Sequence, residues 1–327
     1  MTDVCLIMEW LIGIDGGGTK TLAVLCDSSG LVHAVSACEA TNPTSVPRKT
    51  VIKRLTGLLN ELLSGIGGRY TAEIKACFGG FGGGGIAGNR EFMQEQLQLL
   101  LPAAVVKSGS DAVSALTSGI GIDDGIVAIA GTGSSVFARV NGVMNQVGGW
   151  GFLLGDEGSG YDLGRRALTA ALRAHDGRGK TTVLTALCEK QLGEPIAKAV
   201  ARIYDLGRTY IASFAPVLLE AQFQGDPVAC IQAEEAADGL AEAILAAGRL
   251  IIKPVKQVVM SGSVWQPGGF MEKYIKETLG GSFSLICPEL PPVYGSASEA
   301  ALLLGIKINT EFKTRFYKSW MEKKQYV

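Results

Sequence analysis

Twice along this chain a short apolar run stops at a glycine–threonine turn and then continues as two more short apolar runs. The first instance is residues 10–15 (WLIGID), the turn Gly16-Gly17-Gly18-Thr19, residues 21–27 (TLAVLCD) and, after Ser28-Ser29-Gly30, residues 31–37 (LVHAVSA). The second is 125–131 (GIVAIAG), Thr132-Gly133, 134–140 (SSVFARV) and, after Asn141-Gly142, 143–149 (VMNQVGG). Runs of this length and content read as strands and the glycine-rich breaks as turns, with Asn-Gly a strong hairpin signal. A repeated three-strand opening, followed each time by helical pattern, predicts a duplicated two-domain α/β chain, and 327 residues are enough for two cores.

Apolar residues at helical spacing (Val51, Leu55, Leu58, Leu59, Leu62) predict a helix over 47–64. A strand at 73–78, the glycine stretch 79–88, a helix over 90–100 and a strand at 103–107 follow, and Asp111 opens another helix. From 161 to 250 the chain reads as mostly helical, 255–265 as strand, glycine turn and helix, and 294–305 as a last buried helix. Polar residues near 118–124 set the expected domains at 1–118 and 119–327, the second enlarged by a helical insertion. The basic, aromatic tail from Lys307 reads as a solvated terminal helix, and residues 1–7 as an upstream extension.

A net charge of −1 gives no basic field to hold nucleic acid or an anionic membrane, and no apolar stretch reaches membrane-spanning length. The seven cysteines are scattered without a CxxC pair, which reads as reduced thiols in a cytoplasmic protein rather than a disulfide, zinc or iron–sulfur framework. With only His33 and His175 present, a histidine-built metal centre is not expected.

In DGGGTKT (15–21) the glycines strip away Cβ atoms and present bare N–H donors, as phosphate nests do, and Thr19 adds a hydroxyl. A plain hairpin remains the other reading of that stretch taken alone. Asp15 ends an apolar strand and would hold Mg2+ through water, since Mg2+ keeps much of its hydration. A second such turn in AGTGSS (130–135) is what a two-jawed phosphate clamp requires, and the chain has neither a Walker A sequence nor a supported dinucleotide fingerprint. GGWGFLLGDEGSGYDLG (148–164) alternates glycines with Asp156 and Glu157, which suits a concave site for a polyol or amide; a structural plug with Trp150 and Phe152 buried is the alternative. At MSGSVW (260–265), Gly262 permits flat approach of a base or ribose, unless Ser261 or Ser263 simply caps the following helix.

Taken in order, GIDGGGTKT, TNP, SDAVSAL, AGTGSS, GGWGFLLGDEGSGYDLG, QGDP and SGSVW resemble the sugar-kinase and actin superfamily of ATPases, and more closely the N-acetylglucosamine kinases of the BadF/BadG/BcrA/BcrD family. The resemblance covers residues 10 to about 305. It implies two ribonuclease H-like, actin-like ATPase domains around a central inter-domain cleft, and ATP-dependent phosphorylation of an amino sugar at an exocyclic hydroxyl, that of C6. The resemblance also implies a homodimer. By the same resemblance Gly17, Gly18 and Thr19 with Thr132, Gly133 and Ser134 hold the ATP phosphates, and Gly262 and Ala221 lie beside the nucleotide. Asn42, Gly149, Trp150, Gly151 and Asp156 match sugar contacts, and Asp111 matches both a sugar contact and the general base. Read from the residues alone, Asp111 is also an N-cap carboxylate for its helix.

One departure matters. Relatives usually carry Asp or Asn shortly after the Gly pair that follows the strand ending at Phe78, where this chain has GGFGGGGIAG, placing Phe81 or a glycine there. A more open pocket would admit a bulkier sugar such as N-acetylmuramic acid. Competing expectations are a non-kinase ATPase activator of the same family, a sugar-sensing module without turnover, and a kinase for glucosamine, N-acetylmannosamine or glucose.

Overall fold

In the first strand Trp10, Ile12 and Ile14 alternate with Leu11 and Gly13, and a sheet buried on both faces needs this two-sided apolar content. A computed structural model, which describes residues 9–64, 74–86 and 88–326, shows such a sheet twice. The expected extension 1–7 lies outside the described residues.

The first unit comprises residues 1–123 and 288–327. Its strands are β1 (Trp10–Gly16), β2 (Lys20–Asp27), β3 (Val32–Glu39), β4 (Ile74–Phe81) and β5 (Val105–Ser110), in the order β3-β2-β1-β4-β5. The first three run antiparallel; β4 and β5 run parallel to β1. Helices α1 (Arg48–Ser64) and α2 (Asn89–Leu100) cover the face that carries Trp10, Ile12 and Ile14. Helix α3 (Asp111–Ile120) follows β5.

The second unit, residues 124–287, repeats the plan with β6 (Gly125–Ala130), β7 (Ser134–Val140), β8 (Val143–Val147), β9 (Lys256–Ser261) and β10 (Phe283–Ile286), in the order β10-β9-β6-β7-β8. Asn141 and Gly142 both have positive φ, as a two-residue primed hairpin turn requires. Helices α4 (Gly160–His175), α5 (Leu184–Leu192), α6 (Ile196–Ala212), α7 (Ala215–Phe223) and α8 (Pro227–Gly248) form the insertion, and α9 (Phe270–Leu279) links β9 to β10. Their alanine-rich faces pack with Ile126, Ala128, Val136 and Val258 into one core.

The expected second domain, 119–327, needs correction. The chain returns to the first unit at residue 288, because α10 (Pro292–Leu303) and α11 (Thr310–Lys323) cover the face of that sheet carrying Leu11, Val24, Ala76 and Phe78. The terminal helix is likewise not merely solvated: Phe312, Phe316 and Trp320 are buried, and Ser319 Oγ accepts the Val32 N–H at 2.9 Å. No described helix is long and apolar enough to cross a membrane.

Candidate active site

Parallel pairing aligns the ends of three strands of the first unit. Asp15 is in register with Gly80 and Gly80 with Gly109; one residue further, Gly16 pairs with Phe81 and Phe81 with Ser110. The chain leaves all three strands at the same edge, as Gly17, Gly82 and Asp111. Ligand sites on such sheets form at the carboxyl ends of the strands for this reason.

The Gly17 N–H donates to Lys20 O at 2.9 Å and closes the first turn, so the sequence DGGGTKT does form a hairpin. Gly18 and Thr19 are exposed at its tip, and a Cβ on Gly18 would meet nothing within 4 Å. Ser110, not Asp111, is the N-cap of α3: its hydroxyl accepts the Ala112 N–H at 3.2 Å. The Asp111 Oδ1 accepts from the Ser110 hydroxyl and the Ala112 N–H, both at 3.0 Å. These bonds fix the carboxylate with Oδ2 toward Gly82, 3.5 Å from where a Cβ on that glycine would stand. The same point is 3.2 Å from Asn42 Nδ2, while Asn42 Oδ1 accepts the N–H of Thr44 at 2.9 Å and its hydroxyl. The residue facing Asn42 and Asp111 is therefore Gly82. Phe81 is fully buried in the core.

Burial pushes the Asp111 carboxyl up from its ordinary range. Burial, with the charge of Asp111 added, pushes Asp15 up to about 7 against the opposing charge of Lys20. A cation placed near this pair would relieve both effects. Among the described residues no three His, Cys, Asp or Glu side chains cluster as a metal cage. The two carboxyls at this edge suit an ion such as Mg2+, which takes oxygen ligands, keeps several waters and leans on phosphate oxygens.

In the second unit the turn after β6 is braced from behind. The Gly131 N–H donates to Gly133 O at 2.8 Å, and the first N–H groups of α4 donate back to the turn, Gly160 to Gly131 O at 2.7 Å and Tyr161 to Thr132 O at 3.1 Å. The Ser134 hydroxyl donates to Glu157 O at 2.7 Å. Gly262, with φ of 104°, lies against the same turn: a Cβ there would be 2.6 Å from the Ala130 carbonyl carbon and 3.0 Å from Gly131 N. Val264 N–H and Trp265 Nε1–H tie this segment to Ala130 O at 3.0 Å and Ala128 O at 2.9 Å. Ser261 and Ser263 cap no helix here, since α9 starts only at Phe270 with Gly269 as its N-cap. Ala221 is fully enclosed in the core within α7 and offers no side-chain surface to a ligand.

Residues 148–159 form a loop at the second turn. Gly149 packs on Ser135, with its would-be Cβ 2.8 Å from Ser135 Cα, and Gly151 is open. The plug reading fails: Trp150 is 65% exposed, and Phe152 is exposed as well. Asp156 is buried, with a φ of 63°, and its Oδ2 lies 2.7 Å from where a Cβ on Gly133 would stand. Burial raises its carboxyl, opposed by Arg208, whose Nη2 lies 2.6 Å from Asp156 Oδ2. Sequence pattern gave no hint of Arg208, 52 positions away on α6. A separate cavity of about 500 Å³ lies on the far part of this loop, lined by Leu153, Leu154, Arg165 and Arg166 among others.

Two units of identical strand order, each opening on a glycine–threonine turn between its first two strands, define a two-domain, actin-like fold. The chain matches the BadF/BadG/BcrA/BcrD ATPase family over residues 12–300 and belongs to it. It is 31% identical over 260 residues to an N-acetylmuramic acid/N-acetylglucosamine kinase of Clostridium acetobutylicum, covering 78% of this chain and 84% of that protein. It is 32% identical over 250 residues to an N-acetyl-D-glucosamine kinase of Dictyostelium discoideum, covering 72% and 78%. A solved structure from Chromobacterium violaceum, described as a candidate N-acetylglucosamine kinase, superposes with a TM-score of 0.72 at 24% identity, covering 91% of this chain and 99% of that one.

Proposed function

We propose that this protein is an ATP-dependent kinase of N-acetylated amino sugars, acting on N-acetylglucosamine and N-acetylmuramic acid at the 6-hydroxyl. The observation that carries the reading is Asp111: one oxygen is held by two donors, and the other faces the open position at Gly82 beside Asn42. The names of the two curated relatives support the substrate class.

A sugar hydroxyl is a weak nucleophile, and a carboxylate raised by burial yet fixed in direction is suited to take its proton as the phosphoryl group moves. Such base assistance is worth roughly 10²–10⁴-fold, with positioning and charge neutralisation supplying most of the rest. Asn42 offers its Nδ2 donor to the sugar in the first unit. On the second unit Gly149, Trp150, Gly151 and Asp156 serve the sugar ring and its acetamido group. The turn residues Gly17, Gly18 and Thr19, with the Gly18 N–H and the Thr19 hydroxyl at the exposed tip, and Thr132, Gly133 and Ser134 receive phosphate oxygens, and Gly262 leaves a flat approach for adenosine. Asp15 would hold Mg2+ through water, the ion supplying charge neutralisation on the phosphates. A glycine at 82, where a side chain would reach toward Asn42 and Asp111, leaves room for a lactyl ether on the ring.

Coupled ADP release over a sugar panel tests this. Asp111→Asn should lower kcat by at least about 100-fold with little change in sugar KM. Near-wild-type turnover would remove Asp111 as the base. Turnover of N-acetylglucosamine with none of N-acetylmuramic acid would remove the wider substrate range.

A further inference from the structure

Arg208 stands in an unusual setting for a residue of the helical insertion. Helix α6 is interrupted at Gly207, whose φ of 70° and ψ of −156° lie outside helical space, and Arg208 is the next residue. Its guanidinium is laid against the second turn, so that a Cβ on Gly133 would overlap Nη2 and stand 2.7 Å from Asp156 Oδ2. Its Cζ sits 5.5 Å from the centroid of the Phe152 ring. The Nε is enclosed without a hydrogen-bond partner, while the side chain as a whole is 38% exposed.

The partner of this cation bears on what the turn can accept. The Asp156 carboxylate lies against Gly133, its Oδ2 2.7 Å from where a Cβ on that glycine would stand, and so places a negative charge at the turn where a phosphate would arrive. A second anion approaching that carboxylate is repelled unless a cation stands beside both. A guanidinium suits the position because its five donors form a planar fork that can serve a carboxylate with one edge and a phosphate with another.

We propose that Arg208 is a phosphate-binding residue of the second turn, presented by the break at Gly207 and held ready by Asp156 until the polyphosphate of ATP arrives. The inference rests on the reading of the 131–134 turn as a nucleotide site.

Equilibrium binding of AMP, ADP and β,γ-imido-ATP to the full chain without sugar tests it, using the wild type, Arg208→Gln, Arg208→Lys, Asp156→Asn and the double variant. Arg208→Gln should weaken the triphosphate analogue about 10-fold or more while changing AMP less than about twofold, as loss of a charge-assisted phosphate contact requires. Arg208→Lys should recover part of the loss. Adding Arg208→Gln to Asp156→Asn should weaken the analogue again. Equal binding by wild type and Arg208→Gln would overturn the proposal. So would a double variant that binds as Asp156→Asn does, since Arg208 would then only neutralise Asp156. Loss of AMP along with the analogue in both Arg208 variants would also overturn it, by showing a structural role. A wild type that binds no triphosphate analogue would overturn the nucleotide reading of the turn as well.

Discussion

Asp15 and Asp111 lie at one edge of one sheet, and the charge of Asp111 opposes the ionisation of Asp15. For Asp15 the consequence is a pH-dependent stability with a definite sign. Its carboxyl rises from 3.8 to about 7 on folding, so between those values the folded chain keeps a proton that the unfolded chain releases. Stability therefore falls as pH rises through that window and levels off above it. The full shift corresponds to roughly 4 kcal/mol as an upper bound, and partial solvent contact at Asp15 reduces it. We expect Asp15→Asn to match the wild type near pH 4 and to melt at higher temperature near pH 8 in the absence of nucleotide. Identical melting profiles across the range would contradict this. That Asp15 ends an apolar strand and that Asp111 opens a helix was legible in the sequence. Their mutual proximity was not, because it arises from the parallel pairing of β1, β4 and β5, which are far apart along the chain.

At the scale of elements, α10 holds the two carboxylates in place. The Ser296 hydroxyl donates to Ile14 O at 2.8 Å and lies 2.7 Å from the Ser114 hydroxyl, joining the strand of Asp15 to the helix of Asp111. Such close contact needs small residues on both sides. A Cβ on Gly13 would stand 2.8 Å from Ala297 Cα, and one on Gly295 would overlap the Ser114 carbonyl oxygen. Gly295→Ala has no flexible neighbour to displace, so it must push α10 off α3. We expect a loss of about 3 kcal/mol or more in denaturant unfolding, and a fall in kcat larger than the change in ATP KM. A variant as stable and active as the wild type would show that the helices move apart at little cost. The helix itself was readable from the apolar content of 294–305, but not which unit it covers. The break at Gly207 was also hidden, since a lone glycine in a helical pattern is usually tolerated as helix.

Across the whole molecule, the two units differ in how the chain supplies them. Residues 124–287 are continuous and carry their own core, whereas the first unit needs α10 and α11 from the far end of the chain to cover Leu11, Val24, Ala76 and Phe78. Residues 124–287 expressed alone should therefore unfold cooperatively by heat. Residues 1–123 alone should not, and fusing residues 288–327 to them should restore a cooperative transition. A cooperatively folded 1–123 would refute the assignment. The sequence by itself determined the repeated three-strand opening and both glycine–threonine turns, because strand alternation, helical spacing and turn residues are local. Only the tertiary structure decided that Gly82 faces Asn42 and Asp111, that Arg208 lies on the second turn, and that the last two helices belong to the first unit. Each of these depends on which apolar faces cover one another over long sequence separations, and local pattern carries no record of that choice.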